Sequence, residues 1–299
     1  MKVETGVEFA PLLVELLHHA SIEIAAGHPR TVDALHDQVD PGTEVFVNFM
    51  PKGDYRVVTE TATRLRRAGF HPVPHVAARS LVDRAALADF LARLAGEAGV
   101  ERVLLIAGDR DPPVGAFAST MDLLTTGLFE AHVKAVGIAG HPEGHPVVAG
   151  GALDAALLAK RDCAATAGLD LFIVTQFAFE AQPILDWLVR IRGMGIAAPV
   201  QVGVAGPATV AALVKFGLRC GIGNSLRTIR MRTNLVGGLL GEAGPENLLH
   251  DLAIGLAARP DDGVAAVHFF PFGGVARTGD FIARTLARLY RDIAPAASA

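Results

Sequence analysis

Eight short apolar runs recur along this chain, each closing on Gly, Pro or a polar residue and each separated from the next by a longer amphipathic stretch. They are SIEIAAG from Ser21, TEVFVNF from Thr43, HPVPHVA from His71, RVLLIAG from Arg102, KAVGIAG from Lys134, LDLFIVTQ from Leu169, PVQVGVAG from Pro199 and AAVHFFPF from Ala265. Runs of this length bounded by turn residues read as strands, and the spacing between them suits crossover helices. Several are apolar on both faces, as parallel strands are when helices cover one side and packed side chains the other. No run is followed by the glycine pattern of a dinucleotide-binding turn, whereas polar residues recur at strand ends all along the chain. The pattern therefore predicts an α/β fold, a single closed (β/α)8 barrel over residues 1–299, in preference to an open doubly wound sheet.

The stretches between the runs carry helical spacing. Leu81, Ala85, Leu87, Phe90, Leu91 and Leu94 form one apolar stripe, with Arg84, Asp89, Arg93 and Glu97 mostly outside it. Residues 206–263 are too many for one helix. Breaks at Gly221, Gly223 and Gly244–Pro245 predict two or three helices in an elaborated connection between strands seven and eight. The closing APAASA segment reads as a frayed tail.

The chain is 51% hydrophobic with a formal net charge of −4, enough to build a large core without a polyelectrolyte surface. With no long Lys/Arg run it lacks the footprint of a nucleic-acid or anionic-membrane partner, so small molecules are the expected ligands. Two cysteines, Cys163 and Cys220, make neither a disulfide framework nor a CxxC site, and no signal-peptide pattern or apolar span of membrane length is present; a cytoplasmic location is expected.

In a barrel, the carboxyl ends of the strands carry the chemistry. Glu23 stands inside SIEIAAG on the face opposite Ile22 and Ile24, which aims it into the barrel mouth. Desolvation there favours the protonated carboxyl, as a general acid requires, against the plainer alternative of a buried ion pair. His75 closes the third run and Asp109 follows the fourth; the plain readings are a satisfied core histidine and a turn or cap aspartate. His141 and His145 flank Glu143 in GHPEGHP, but Pro142 and Pro146 prevent the helix that would put both imidazoles on one metal-binding face, so no metal is expected. A loop histidine meeting a cofactor phosphate or ribityl oxygen fits better. Gln176 ends the sixth run, where its amide offers both donor and acceptor to a heterocycle. The glycines of RCGIGNS, from Arg219, lack a phosphate-loop lysine pattern and read as a helix break.

Taken in order, IEIAAGHPR, VPHV, LIAGDRDPP, AGHPEGHP, VTQFAFE and VHFFPF resemble the motifs of the methylenetetrahydrofolate reductase family, over nearly the whole span from Glu23 to Phe272. The resemblance implies a flavin-containing (β/α)8 oxidoreductase of one-carbon metabolism and methionine biosynthesis. Such an enzyme interconverts 5,10-methylenetetrahydrofolate and 5-methyltetrahydrofolate, with FAD as cofactor and NADH or NADPH as donor, and is plausible as a homo-oligomer. Glu23 then matches the acid that opens the folate imidazolidine ring, and Asp109 the aspartate near pterin and flavin. Gln176 and Phe270 match folate contacts, Gln176 meeting the nicotinamide substrate as well. His75, Phe117, Ala118, His145, Asp154 and Arg161 match cofactor-binding positions, with Lys160 or Ala164 taking the last place in an alternative register.

The chain departs from that pattern in ways that bear on the cofactor. The segment Ile22-Glu23-Ile24-Ala25-Ala26-Gly27 keeps the acid of FEFFPP but loses its aromatics; Ala107 stands for the arginine of LRGD, Phe117 for a tyrosine, and Gly273-Gly274 where the last strand usually has arginine. Loss of a guanidinium able to pair with pyrophosphate weakens FAD binding unless Arg110 or Arg161 replaces it. Two alternatives follow: a flavin-free relative in which NADH reduces the folate directly, and a non-catalytic folate- or flavin-binding barrel.

Overall fold

The computed structural model describes residues 9–50, 53–220 and 242–293. Gly221, Gly223, most of RCGIGNS and the APAASA tail lie outside them. Each of the eight runs is a strand: β1 Ser21–Ala25, β2 Glu44–Asn48, β3 His71–Ala77, β4 Arg102–Ile106, β5 Ala135–Gly140, β6 Asp170–Thr175, β7 Val200–Ala205 and β8 Val264–Phe270. They close into a barrel in the order β1-β8-β7-β6-β5-β4-β3-β2, with parallel pairing wherever a register is defined between these strands. This is the (β/α)8 architecture that the spacing predicted. The described residues divide into two compact units, one within Ser21–Gly140 and Asp154–Val174 and the other within Met1–Ala20, His141–Leu153 and Thr175–Ala299.

In the first unit, strand alternation separates two apolar layers. Phe46, Val73, Leu104, Ala135, Phe172 and Val174 form one cluster, with Ile106 packed against it. Their sequence neighbours Val45, Val47, Val103, Leu105, Val136 and Ile138 are buried on the opposite faces. Gly137 is required by this packing, because a Cβ there would lie 2.4 Å from the Phe172 ring.

Helix α4, Arg84–Ala98, shows how the connections are built. Asp83 caps its start by accepting from the Ala86 N–H at 2.8 Å, and Gly99 ends it at φ +57°. Leu87, Phe90, Leu91 and Leu94 are buried as the stripe predicts, each contributing about 1.5–3 kcal/mol relative to exposure. Two members of the predicted stripe differ: Leu81 is buried ahead of the helix, after a 3-10 turn at Ala78–Ser80, and Ala85 is exposed on the first turn. The apolar spacing thus runs one turn past the helix start, across the Asp83 cap.

In the second unit, helices Val210–Arg219 and Glu246–Ala257 fill the described part of the connection after β7, the latter starting directly after the Gly244–Pro245 break. The two-residue strands Ala208–Thr209 and Glu242–Ala243 pair antiparallel beside them.

Candidate active site

Glu23 lies near the carboxyl end of β1 and meets two side chains, from β2 and β3. Ile22 and Ile24 point into the packed layer and are 1% and 3% exposed, which turns Glu23 to the other face. Asn48 stands two residues beyond Phe46 on β2, and His75 two beyond Val73 on β3, so both rise one layer above the apolar floor that Phe46 and Val73 help to make. The Asn48 amide Nδ2–H donates to Glu23 Oε1 at 3.0 Å, and His75 Nε2 lies 3.5 Å from Glu23 Oε2. The Phe46 ring meets His75 edge-on from below, with centroids 6.3 Å apart. With side chains only 14% and 6% exposed, Glu23 and His75 are largely removed from water, and a carboxylate so placed needs polar partners. A carboxyl held by an amide donor and faced by an imidazole is placed to exchange a proton with a ligand.

The turn after β1 is pinned from outside. Gly27 takes φ +86°, its N–H donates to Thr61 Oγ1 at 3.1 Å, and a Cβ there would lie 3.1 Å from Val57 Cγ1. A larger residue would strain both the backbone and the packing against the helix Tyr55–Arg67.

The loop after β4 carries Asp109, which is exposed at a bend following Gly108 at φ +86°. Arg79 organises this loop. Its backbone bonds both Ala107 O and Val114 N, at 2.9 and 3.1 Å, and its guanidinium Nε donates to Ala118 O at 3.0 Å while Nη1 lies 4.0 Å from Asp111. From the far side Asp122 accepts from the N–H groups of Ala118 and Ser119 at 2.8 and 2.9 Å, completing a capping box with Ser119. The Ala118 and Ser119 N–H bonds hold the Asp122 carboxyl below its ordinary range, with burial opposing them.

The second unit presents a different surface. Phe177 packs edge-on against Phe179 and Phe272, and Phe272 stacks on Phe216 at 4.2 Å with 14° between the planes. Phe270 joins the same cluster, 5.6 Å from Phe177. Gln176 adjoins it, its Oε1 accepting from the Phe177 N–H at 3.2 Å, an arrangement that leaves the amide's N–H donors for a ligand. His141 and His145 sit in a loop without helix, their rings edge-to-face at 5.2 Å, and His145 Nδ1 accepts from the Val147 N–H at 3.3 Å. Among the described residues, no three His, Cys, Asp or Glu side chains converge as metal ligands, and no helix is long and apolar enough to cross a membrane.

Several positions matched to a flavin cofactor meet protein partners or lack a polar group. Ala118 has its N–H on Asp122 and its carbonyl on Arg79, Phe117 is buried and carries no hydroxyl, and His75 faces Glu23. Asp154 and Arg161 both lie on the helix Gly150–Thr166, where Arg161 is bound to Asp162 through Nε and Nη2 at 2.8 and 2.7 Å. Lys160 is the more notable cation of that helix, since burial pushes its ammonium below the ordinary lysine range. Of the two guanidiniums expected to replace the missing arginine, Arg161 pairs with its neighbour Asp162, and Arg110 stands half-buried in the loop after β4.

Two residues of this site escaped the sequence reading. Asn48 was signalled by alternation, since it shares a face with Phe46 in TEVFVNF. Arg79 had no signal, because its partners are main-chain groups of a distant loop.

A family model described as methylenetetrahydrofolate reductase matches residues 38–221. That span contains Asn48, His75, Asp109, Phe117, Ala118, His145, Asp154, Arg161 and Gln176; Glu23 and Phe270 lie outside it. Among solved structures, a dihydropteroate synthase from Thermus thermophilus is similar at 14% identity and a TM-score of 0.45, covering 91% of this chain and 95% of that one. A family 18 chitinase from Crocus vernus is similar at 11% identity and a TM-score of 0.49, covering 90% of this chain and 98% of that one. Likenesses this remote bear on no residue of the site.

Proposed function

Because the chain belongs to the methylenetetrahydrofolate reductase family, we propose that it interconverts 5,10-methylenetetrahydrofolate and 5-methyltetrahydrofolate with NADH or NADPH as the source of electrons. The observation that carries this reading is the held carboxyl of Glu23, fixed by Asn48 and faced by His75 above an apolar floor. In the reducing direction Glu23 gives its proton to the folate nitrogen that leaves the bridging carbon, so that the ring opens to an iminium. Hydride then adds to that carbon and forms the methyl group. Asp109, a carboxylate at the end of β4, favours the positive charge developed in between. In the other unit the Gln176 amide offers donors to the edge of a heterocycle, and Phe270 lies among the rings beside it.

The origin of the hydride separates two readings. FAD, which the sequence resemblance implies, would supply hydride chemistry of its own when bound. The partners of Ala118 and His75, and the lack of a hydroxyl on buried Phe117, favour the other reading, direct transfer from the nicotinamide. Reduction with NADH deuterated at the transferred position tests it. Label retained in the methyl group supports direct transfer, whereas label lost to water, together with a yellow protein or activity that depends on added FAD, supports the flavin route. Tight folate binding without any methyl product, from either nicotinamide nucleotide and with FAD present, would leave only a binding protein.

A further inference from the structure

We propose that Asn48 is the positioning residue of this reaction, and that it decides which oxygen of Glu23 carries the transferred proton. The inference rests on the reading of the chain as a methylenetetrahydrofolate reductase. A side-chain amide nitrogen can only donate, and Asn48 Nδ2 is 3.0 Å from Glu23 Oε1. A proton on Oε1 would set two donors head to head. With His75 neutral and its Nε2 unprotonated, the acid proton therefore sits on Oε2, the oxygen that lies 3.5 Å from that nitrogen.

The donor also acts on the chemistry. In the transfer the Oε2–H bond breaks and an N–H bond forms at the leaving folate nitrogen, which keeps the electron pair of its broken bond to carbon. A carboxylate remains on Glu23. The bond from Asn48 strengthens as that negative charge appears, because hydrogen bonds to ionised acceptors are about twice as strong as those between neutral groups. It thus favours the transition state over the ground state, the condition for raising the rate rather than the affinity. Backbone geometry keeps the amide in place: β1 and β2 pair in register, Glu23 opposite Phe46 and Ala25 opposite Asn48, and Phe46 below is fully buried. Leucine at position 48 would leave Oε1 without its donor, and aspartate would oppose a second carboxylate to it.

The test is a double-mutant cycle on the purified full-length protein, reading kcat and KM for methylenetetrahydrofolate. Asn48→Leu and Asn48→Asp are each expected to lower kcat about 10- to 100-fold while KM stays within about threefold, the pattern of an interaction made in the transition state. In a Glu23→Gln background the same Asn48→Leu change should cost nothing further, since the group it positions has gone. Equal losses in both backgrounds, or no loss in the first, would overturn the assignment. Asn48→Asp, nearly the same in shape, keeps the test open if the leucine variant does not fold, as circular dichroism would reveal. A wild-type protein that forms no methyl product under any donor overturns the parent reading as well; an active wild type whose Asn48 variants are as fast overturns this inference alone.

Discussion

The carboxyl ends of the strands differ in kind between the two units. In the first they present Glu23, Asn48 and His75, held by directional bonds over a buried floor. In the second they lead to Gln176 and to a packed cluster of rings, buried Phe177 with Phe179, Phe270, Phe272 and, from the helix Val210–Arg219, Phe216. Directional bonds fix a proton to within a fraction of an ångström; ring contacts fix a plane and tolerate sliding. The difference teaches what each can do: the first is suited to moving a proton and the second to contact with flat rings. Substitutions in the first should therefore appear in kcat, and those in the second in KM.

The strongest test of that division is Glu23→Gln, which keeps shape and removes the proton. Turnover should fall by about 10²–10⁴, the usual worth of a positioned general acid, with folate affinity nearly unchanged. Normal turnover would end both Glu23's role and the contrast. On the aromatic side, Phe216→Leu keeps most of the volume but removes the face stacked on Phe272. It should raise KM for the folate by about threefold to tenfold, as the loss of an aromatic pair does, while kcat stays within about twofold. A fall in kcat alone would place the chemistry on the wrong surface.

What the sequence disclosed follows the same line. All eight strands were legible because each is a short apolar run bounded by turn residues, and burial on both faces makes such runs continuous. The orientation of Glu23 was legible because alternation has a period of two. The helix α4 was legible in its interior but not at its start, where Asp83 ends a buried approach that continues the apolar spacing. Partners that depend on tertiary approach were not legible. The sequence did not show that β3 sets His75 against Glu23, nor that the main chain of Ala118 bonds Arg79 and Asp122. Nor did anything in HVAARS mark Arg79 as the organiser of a loop some thirty to forty residues further on.

Arg79 gives the next prediction, because it lies on the polar surface yet acts on a loop and not on a proton. Arg79→Ala removes the guanidinium bond to Ala118 O and leaves the backbone bonds to Ala107 and Val114 in place. The loop bearing Asp109 should loosen, with faster amide exchange over residues 107–118 and turnover reduced by roughly threefold to tenfold, because a charge that is less well placed stabilises less. Unchanged exchange there would show that the backbone bonds alone hold the loop.

The smallest effect concerns the other anchor of the same loop, and its sign is fixed by linkage. The Ala118 N–H, then that of Ser119, bonds the ionised Asp122 carboxylate and lowers its pKa in the folded protein. A depressed folded pKa contributes stability that is present above the unfolded value, about 4, and is lost as pH falls through the lowered folded value. Asp122→Asn should thus lower the melting temperature by about 1–3 °C at pH 7, the scale of one lost cap in a chain of this length. The gap between wild type and variant should begin to narrow once pH drops below about 4 and close on the acid side of the depressed pKa. Turnover at neutral pH should move less than it does for Arg79→Ala, because the asparagine side-chain oxygen still accepts from Ala118. A gap that widened on acidification would mean that the protonated form is the one the two N–H groups prefer, contrary to the hydrogen-bond pattern of the capping box.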